Sequence, residues 1–169
     1  MTSNNKDFKL LIIGDAQHGK DTVAGIINDL YGLTFESSSV AALRIFLFDV
    51  LNNEYNKGYS TLEEAYNDRV SEENRIIWYN EIVKYNTSDK SRLAREILKT
   101  SDIYIGMRNI DELLESKYLF NYIIGVYNNR VPKENKKSNS IDIFEHSDII
   151  VTNNTDLQSL ELRLTLLNV

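Results

Sequence analysis

An α/β fold with a doubly wound, parallel five-stranded sheet is what this chain predicts, on three observations. A short apolar run, Leu10–Ile13, passes into a glycine-bounded loop and then into an amphipathic helical pattern. Further strand-like runs follow at 33–36, 102–107, 121–127 and 148–152, separated by segments of helical periodicity. Between the second and third of these runs the alternation is interrupted by several helices, which read as an insertion over one end of a sheet. Strands separated by helices imply a parallel sheet with its ligand site beyond the carboxyl ends of the strands.

Taken in order, Lys9–Ile13 is the first strand and Thr22–Tyr31 a helix with Val23, Ile26, Ile27 and Leu30 on one face. Gly32 is its expected stop. Leu33–Glu36 is a short second strand, Ser37–Ser39 a turn, and Val40–Leu51 a buried apolar helix. The polar stretch 52–60 leads to Thr61-Leu62-Glu63-Glu64, a capping-box pattern that starts the next helix. Ser71–Tyr85 is a helix carrying Ile76, Ile77, Trp78, Ile82 and Val83. Ser88 is read as the cap of another, with Leu93, Ala94, Ile97 and Leu98 inward. Asp102–Met107 is a strand, Asp111–Ser116 a short helix and Asn121–Tyr127 a strand. Asn128–Ser140 is polar, rich in lysine and holds the only proline, Pro132. Asp148–Thr152 is the last strand. Thr155–Leu167 is the last helix, with Thr155 and Gln158 in capping-box spacing and Leu157, Leu160, Leu164 and Leu167 inward. Residues 1–169 read as one domain, with an insertion at about 52–100 and a lid-like loop at about 128–140; no repeat or linker divides it.

Composition narrows the function. A formal net charge of −6 argues against general affinity for a nucleic-acid backbone. The absence of cysteine excludes disulfides and thiolate metal sites, and two histidines far apart in sequence, His18 and His146, make a structural zinc site a poor expectation. No apolar stretch approaches membrane-spanning length, and the first residues, MTSNNKDFK, lack a signal-peptide core. The expectation is a soluble, cytoplasmic protein with no membrane partner; a homodimer is compatible with it.

The chemistry concentrates in residues 10–24, LLIIGDAQHGKDTVA. Gly14, four intervening residues, then Gly19 and Lys20, between a strand and a helix, is the pattern and context of a phosphate-binding loop. The glycines let backbone N–H groups turn toward an anion, and the new helix points its positive end at the same place. Lys20 would reach the outer phosphates as a mobile point charge. Such loops normally follow the lysine with a Ser or Thr whose hydroxyl ligates magnesium. Here Asp21 follows, and the hydroxyl comes one residue later, at Thr22. His18 lies within reach of a phosphate, but side chains of such loops point outward, so it reads as a tolerated surface residue. Other cations come from the insertion. Arg69, Arg75, Arg92 and Arg95 accompany Trp78, Tyr66 and Tyr79; arginine forks match phosphate bidentately and aromatic faces stack on bases. Arg92 and Arg95, three apart, share a helix face. Arg108 follows a strand directly, at the rim of the sheet.

The loop ending in GKDT, followed by helix-forming residues, resembles that of the bacteriophage deoxynucleoside monophosphate kinases. The order of features along the chain is similar as well. The resemblance implies a P-loop, nucleoside-monophosphate-kinase-like three-layer sandwich with a helical insertion for the acceptor. It implies phosphoryl transfer from ATP, with Mg2+, to a deoxynucleoside 5′-monophosphate, possibly one with a modified base, in the cytoplasm of a host cell. Lys20 and Arg108 would stabilise the moving phosphoryl group, and Asp21 or Thr22 would hold magnesium. Arg69, Arg75, Trp78 and Arg92 would serve the acceptor. Arg130, in the loop at the lid position, would neutralise charge in the transition state. Val151–Leu157 is similar to a stretch that lies against the donor's adenine in those kinases, which puts Asn153 and Asn154 at the base. One departure stands out: where that family carries an acidic residue at the end of the strand before the arginine, this chain has Gly106. Two alternatives accompany the reading, a kinase acting on a hydroxymethylated base in DNA and a protein that binds nucleotide without turnover.

Overall fold

The computed structural model describes residues 8–165. Its strands are β1 (Leu10–Ile13), β2 (Phe35–Ser37), β3 (Ile103–Ile105), β4 (Tyr122–Tyr127) and β5 (Ile149–Thr152). They form one all-parallel sheet in the order β2-β3-β1-β4-β5. β1 is central, with Leu10 opposite Ile103 on one side and Tyr122 on the other. A strand covered on both faces has no polar side to show, which is why it reads as an unbroken apolar run.

Each face of the sheet has its own core. Leu10 and Ile12 pack with Val23 and Ile27 of α1 (Lys20–Tyr31), and with Leu160 and Leu164 of the last helix of the fold. Leu11 and Ile13 pack on the other face with Tyr104 and with Leu93, Ala94 and Ile97, which belong to a helix of the insertion. The insertion adds α2 (Ser38–Ala42), a π-helical turn (Leu43–Leu47), α3 (Phe48–Asn53), α4 (Leu62–Asp68), α5 (Glu72–Tyr85) and α6 (Arg92–Leu98). It carries a third apolar cluster, with Leu43, Leu47, Leu51, Ala65 and Trp78 at its centre. The remaining helices are α7 (Ile110–Ser116), α8 (Ile143–His146) and α9 (Leu157–Thr165), and a 3-10 turn covers Lys117–Leu119. Among the described residues no helix is long and apolar enough to cross a membrane.

Several local expectations are corrected. The helix expected at 40–51 is two α-helical pieces joined by the π-helical turn, and it begins at Ser38 rather than Val40. The second strand sits two residues further on than the apolar run suggested, because Phe35–Ser37 aligns with Ile103–Ile105. Ser88 does not cap α6; the N-cap position is Ser91. Thr155 does not cap α9 either. Asp156 accepts from the Ser159 N–H at 2.9 Å, a carboxylate taking the role expected of the hydroxyl. Thr61 does accept from the Glu64 N–H, but Glu64 returns its bond to Ser60 rather than to Thr61. Leu167, expected to face inward, lies outside the described residues.

Candidate active site

The loop between β1 and α1 is held open by its neighbours. Gly19 has φ +95°, in the left-handed region that favours glycine, and a Cβ there would lie 2.2 Å from Asn153 Nδ2. That amide donates to the His18 carbonyl at 3.2 Å. Asn153 thus serves the loop itself, and Asn154 accepts from the Asn129 N–H at 2.8 Å, where β4 leaves the sheet. Both expected base-contacting residues act as braces between the loop, β4 and β5.

His18 corrects the sequence reading. It is 1 % exposed, its Nδ1 accepts from the Asn128 N–H at 3.2 Å, and its ring packs against Tyr127. The proton therefore sits on Nε2, which is buried with no partner among the described residues. An outward-facing side chain was expected from the loop pattern; the close passage of β4 under the loop turns it inward.

Lys20 is 7 % exposed and its Nζ donates to the Asp15 carbonyl at 2.7 Å. Burial, with the nearby Arg108 guanidinium adding to it, lowers its pKa from 10.5 to about 8. Asp21, Glu134 and Asp15 act in the opposite direction without cancelling the shift.

Two clefts meet beside this lysine, which lines the first of them alone. The first, of about 720 Å³, includes Ala16, Gln17, Lys20, Asp21 and the serines at the end of β2. The second, of about 520 Å³, runs under the insertion between α5, the β3 exit and α7. Ser38, Arg69, Arg75, Gly106 and Arg108 line both. The insertion thus brings Arg69, Arg75 and Trp78 to the site, with Trp78 in the second cleft alone. Arg69 leans on the Tyr66 ring at 4.1 Å and its Nη2 donates to Tyr66 Oη, leaving Nε buried without a partner. Neither Arg69 nor Arg75 enters an ion pair among the described residues. Two guanidinium groups outside any ion pair among the described residues thus stand at one junction, and guanidinium forks match anions bidentately. Arg92 is placed elsewhere. It is exposed on α6, stacked 4.0 Å over the Tyr85 ring, and lines neither cleft, while its neighbour Arg95 is paired with Asp89.

Of the pair expected at magnesium, Asp21 lines the first cleft. Thr22, about 100° further round the helix, is exposed and lines neither cleft. Gly106 explains the absent carboxylate in backbone terms. Its φ is +85°, its N–H donates to the Ile12 carbonyl at 2.8 Å, and its own carbonyl accepts from Ser38 Oγ at 2.9 Å. The strand leaves the sheet there by a turn that disfavours any side chain.

The loop after β4 contributes an acid rather than the expected arginine. Arg130 is exposed in the turn, whereas the Glu134 side chain is 4 % exposed. Its Oε2 accepts from the Ala16 N–H of the phosphate loop at 3.0 Å, and its Oε1 pairs with Arg108 and accepts from Ser138 Oγ. Asn139 donates to Asp15 at 2.8 Å and Asn135 to Glu72 of α5 at 3.1 Å. The loop is thereby tied to the β1–α1 loop, to Arg108 and to α5. Sequence reasoning passed over Glu134 because it stands among Lys133, Lys136 and Lys137 in a stretch with every mark of a solvated loop.

No protein-family model matches the chain, and no curated protein matches it in sequence. Solved structures do resemble its fold. Dephospho-CoA kinase from Campylobacter jejuni superposes with a TM-score of 0.51 at 15 % identity over 95 % of each chain. Shikimate kinase from Aquifex aeolicus gives 0.48 at 12 % identity over 94 % of each. A sugar kinase from a Janibacter species gives 0.46 at 14 % identity over 95 % of this chain and 94 % of the other. The first likeness, together with the strand order and the flanking helices, establishes the expected class of fold, the α/β sandwich of the P-loop kinases. At such identity it establishes nothing finer.

Proposed function

We propose that the protein transfers a phosphoryl group from ATP to a deoxynucleoside 5′-monophosphate. The observation that carries this reading is the junction of the two clefts. A glycine-bounded loop with Lys20 at its helix start opens on one side, and a pocket walled by Trp78 and Tyr79 opens on the other. Arg69, Arg75 and Arg108 stand between them. Phosphoryl transfer asks little covalent chemistry of a protein; it asks for two substrates in line and positive charge at the moving group. The loop amides and Lys20 would hold the donor's phosphates. Arg69 and Arg75 would hold the acceptor's phosphate, and Arg108, released from Glu134, would face the group in transfer. The donor set suits Mg2+ at Asp21, a hard oxygen ligand at the cleft wall. The metal would neutralise phosphate charge there.

The test is incubation with ATP, Mg2+ and a panel of deoxynucleoside monophosphates, followed by separation of the products. A diphosphate product supports the proposal; transfer to DNA alone supports a polymeric acceptor instead. Lys20→Ala should abolish transfer and leave the fold intact, since loss of one such contact typically costs about 3–4 kcal/mol. A folded variant with near-normal turnover would show that the loop is not the donor site. One observation favours a second reading, nucleotide binding without turnover: the left-handed Gly106 stands where the resembling kinases carry a carboxylate. ATP binding with no transfer to any acceptor is its signature.

A further inference from the structure

The second cleft has two ends. Arg69, Arg75 and Arg108 lie where it joins the phosphate-loop cleft, while Trp78, Tyr79, Ile82, Tyr104, Met107 and Glu112 line it alone, away from the loop. Five of those six are apolar or aromatic and would flank a planar ring. The sixth is a carboxyl group. Glu112 sits in the first turn of α7, whose cap Asn109 accepts from the N–H groups of Asp111 and Glu112. The topology that lays α7 under the insertion leaves the side chain only 2 % exposed. Its Oε1 has no hydrogen-bond partner among the described residues. Burial raises its pKa to about 7, outweighing the Asn86 side chain and Lys90, which favour the charged form, while Asp111 acts with the burial. A buried acceptor without a donor costs free energy, and a ligand that brings the donor recovers it.

We propose that Glu112 determines acceptor specificity: its Oε1 accepts a hydrogen bond from an exocyclic amino group on the base, selecting cytosine, adenine or guanine over thymine. The inference rests on the kinase reading above. The cationic junction fixes which end of the acceptor carries the phosphate, so the opposite end of the ligand meets Glu112. Thymine has no amino group: where cytosine and adenine carry theirs it has a carbonyl oxygen, which would meet the carboxylate lone pair against lone pair, and its one donor is the ring N3–H. Sites that reject a ligand in this way discriminate by leaving their own buried polar group unpaired.

The experiment measures kcat/KM at pH 8 for dCMP, dAMP, dGMP and dTMP with ATP and Mg2+, for the parent protein and for Glu112→Gln, with a melting curve for each. The expected result is a preference of about tenfold or more for at least one amino-bearing nucleotide over dTMP, the scale of one charge-assisted hydrogen bond. In Glu112→Gln that ratio falls by about tenfold, because the amide offers a donor as well as an acceptor; a merely structural role would lower all four values together and leave the ratio unmoved. Equal use of dTMP by the parent overturns the proposal, even if the variant does not fold. An unchanged ratio in a folded variant overturns it too, with the kinase reading left standing. If none of the four is phosphorylated although ATP binds, the kinase reading falls and takes this inference with it.

Discussion

Lys20 shows how much a single side chain depends on what surrounds it. A lysine in water stays charged until its ordinary value of 10.5, but burial brings this one to about 8. Phosphate groups favour the charged form, so their binding raises the value again and takes up a proton above pH 8. ATP affinity should therefore fall as pH rises from about 8 toward 10, and calorimetry in buffers of different ionisation heat should show that uptake. Lys20→Arg, charged throughout this range, should remove the dependence; a flat profile in the parent would mean that the lysine stays protonated in the free site. Glu112 gives the opposite sign. Its pKa is raised from 4.5 to about 7 by burial, so the native state binds a proton that the unfolded chain has already lost between those values. Stability contributed by that proton is present below pH 4.5 and is lost as pH rises to about 7. Glu112→Gln, uncharged at every pH, should be more stable than the parent at pH 8 by about 1–3 kcal/mol, and the gap should close toward pH 4.5. Thermal melts at the two pH values check this.

Among the elements, the loop after β4 is the one whose position most affects chemistry. Glu134 places a carboxylate against the Ala16 N–H and Arg108, two groups that an incoming terminal phosphate would use. Under the proposed reading anion and carboxylate would compete for the same donors, so the loop would give up these bonds when a nucleotide enters. Glu134→Gln keeps the shape and removes the charge. It should tighten ATP binding by about threefold to tenfold, the scale of a partly buried charge interaction, as read by titration. Weaker binding in the variant would instead make Glu134 a group that supports the nucleotide. The breaks in helical structure have their own logic. The apolar run 40–51 packs against α4 and α5 through Leu43, Leu47 and Leu51, and the π-helical turn widens the spacing within it.

At the scale of the molecule, the sheet parts one apolar core from the second cleft and leaves the other sharing side chains with it. The core on the α1 and α9 face, with Leu160 and Leu164, lies across the sheet from the second cleft. Leu160 is 1 % exposed, and its truncation leaves a cavity. Leu160→Ala should lower stability by about 2–5 kcal/mol, measured by denaturant unfolding, with the acceptor KM unchanged below the melting transition. A shift in KM would show that the two layers are coupled through β1. On the other face Tyr104 and Met107 belong both to the core and to the cleft wall, so packing and the shape of that cleft are set by the same side chains.

The sequence by itself determined the parallel sheet, the glycine-bounded loop ahead of the first helix, and the segments that carry Lys20, Arg69, Arg75, Trp78 and Arg108. Those features are local: a buried strand is an apolar run, a loop that turns its amides inward needs glycine at fixed positions, and an amphipathic helix shows its period within a dozen residues. Only the tertiary structure decided the rest. Glu112 reads as an ordinary acid in the first turn of a helix until the insertion covers it. Glu134 reads as one charge in a solvated stretch until the chain folds it onto the loop. His18 reads as exposed until β4 passes beneath it, and Arg92 reads as part of the cleft until α6 turns it onto Tyr85. Each depends on contacts between residues far apart in the chain, or on which side of a helix the packing leaves free, and no spacing or composition encodes these locally.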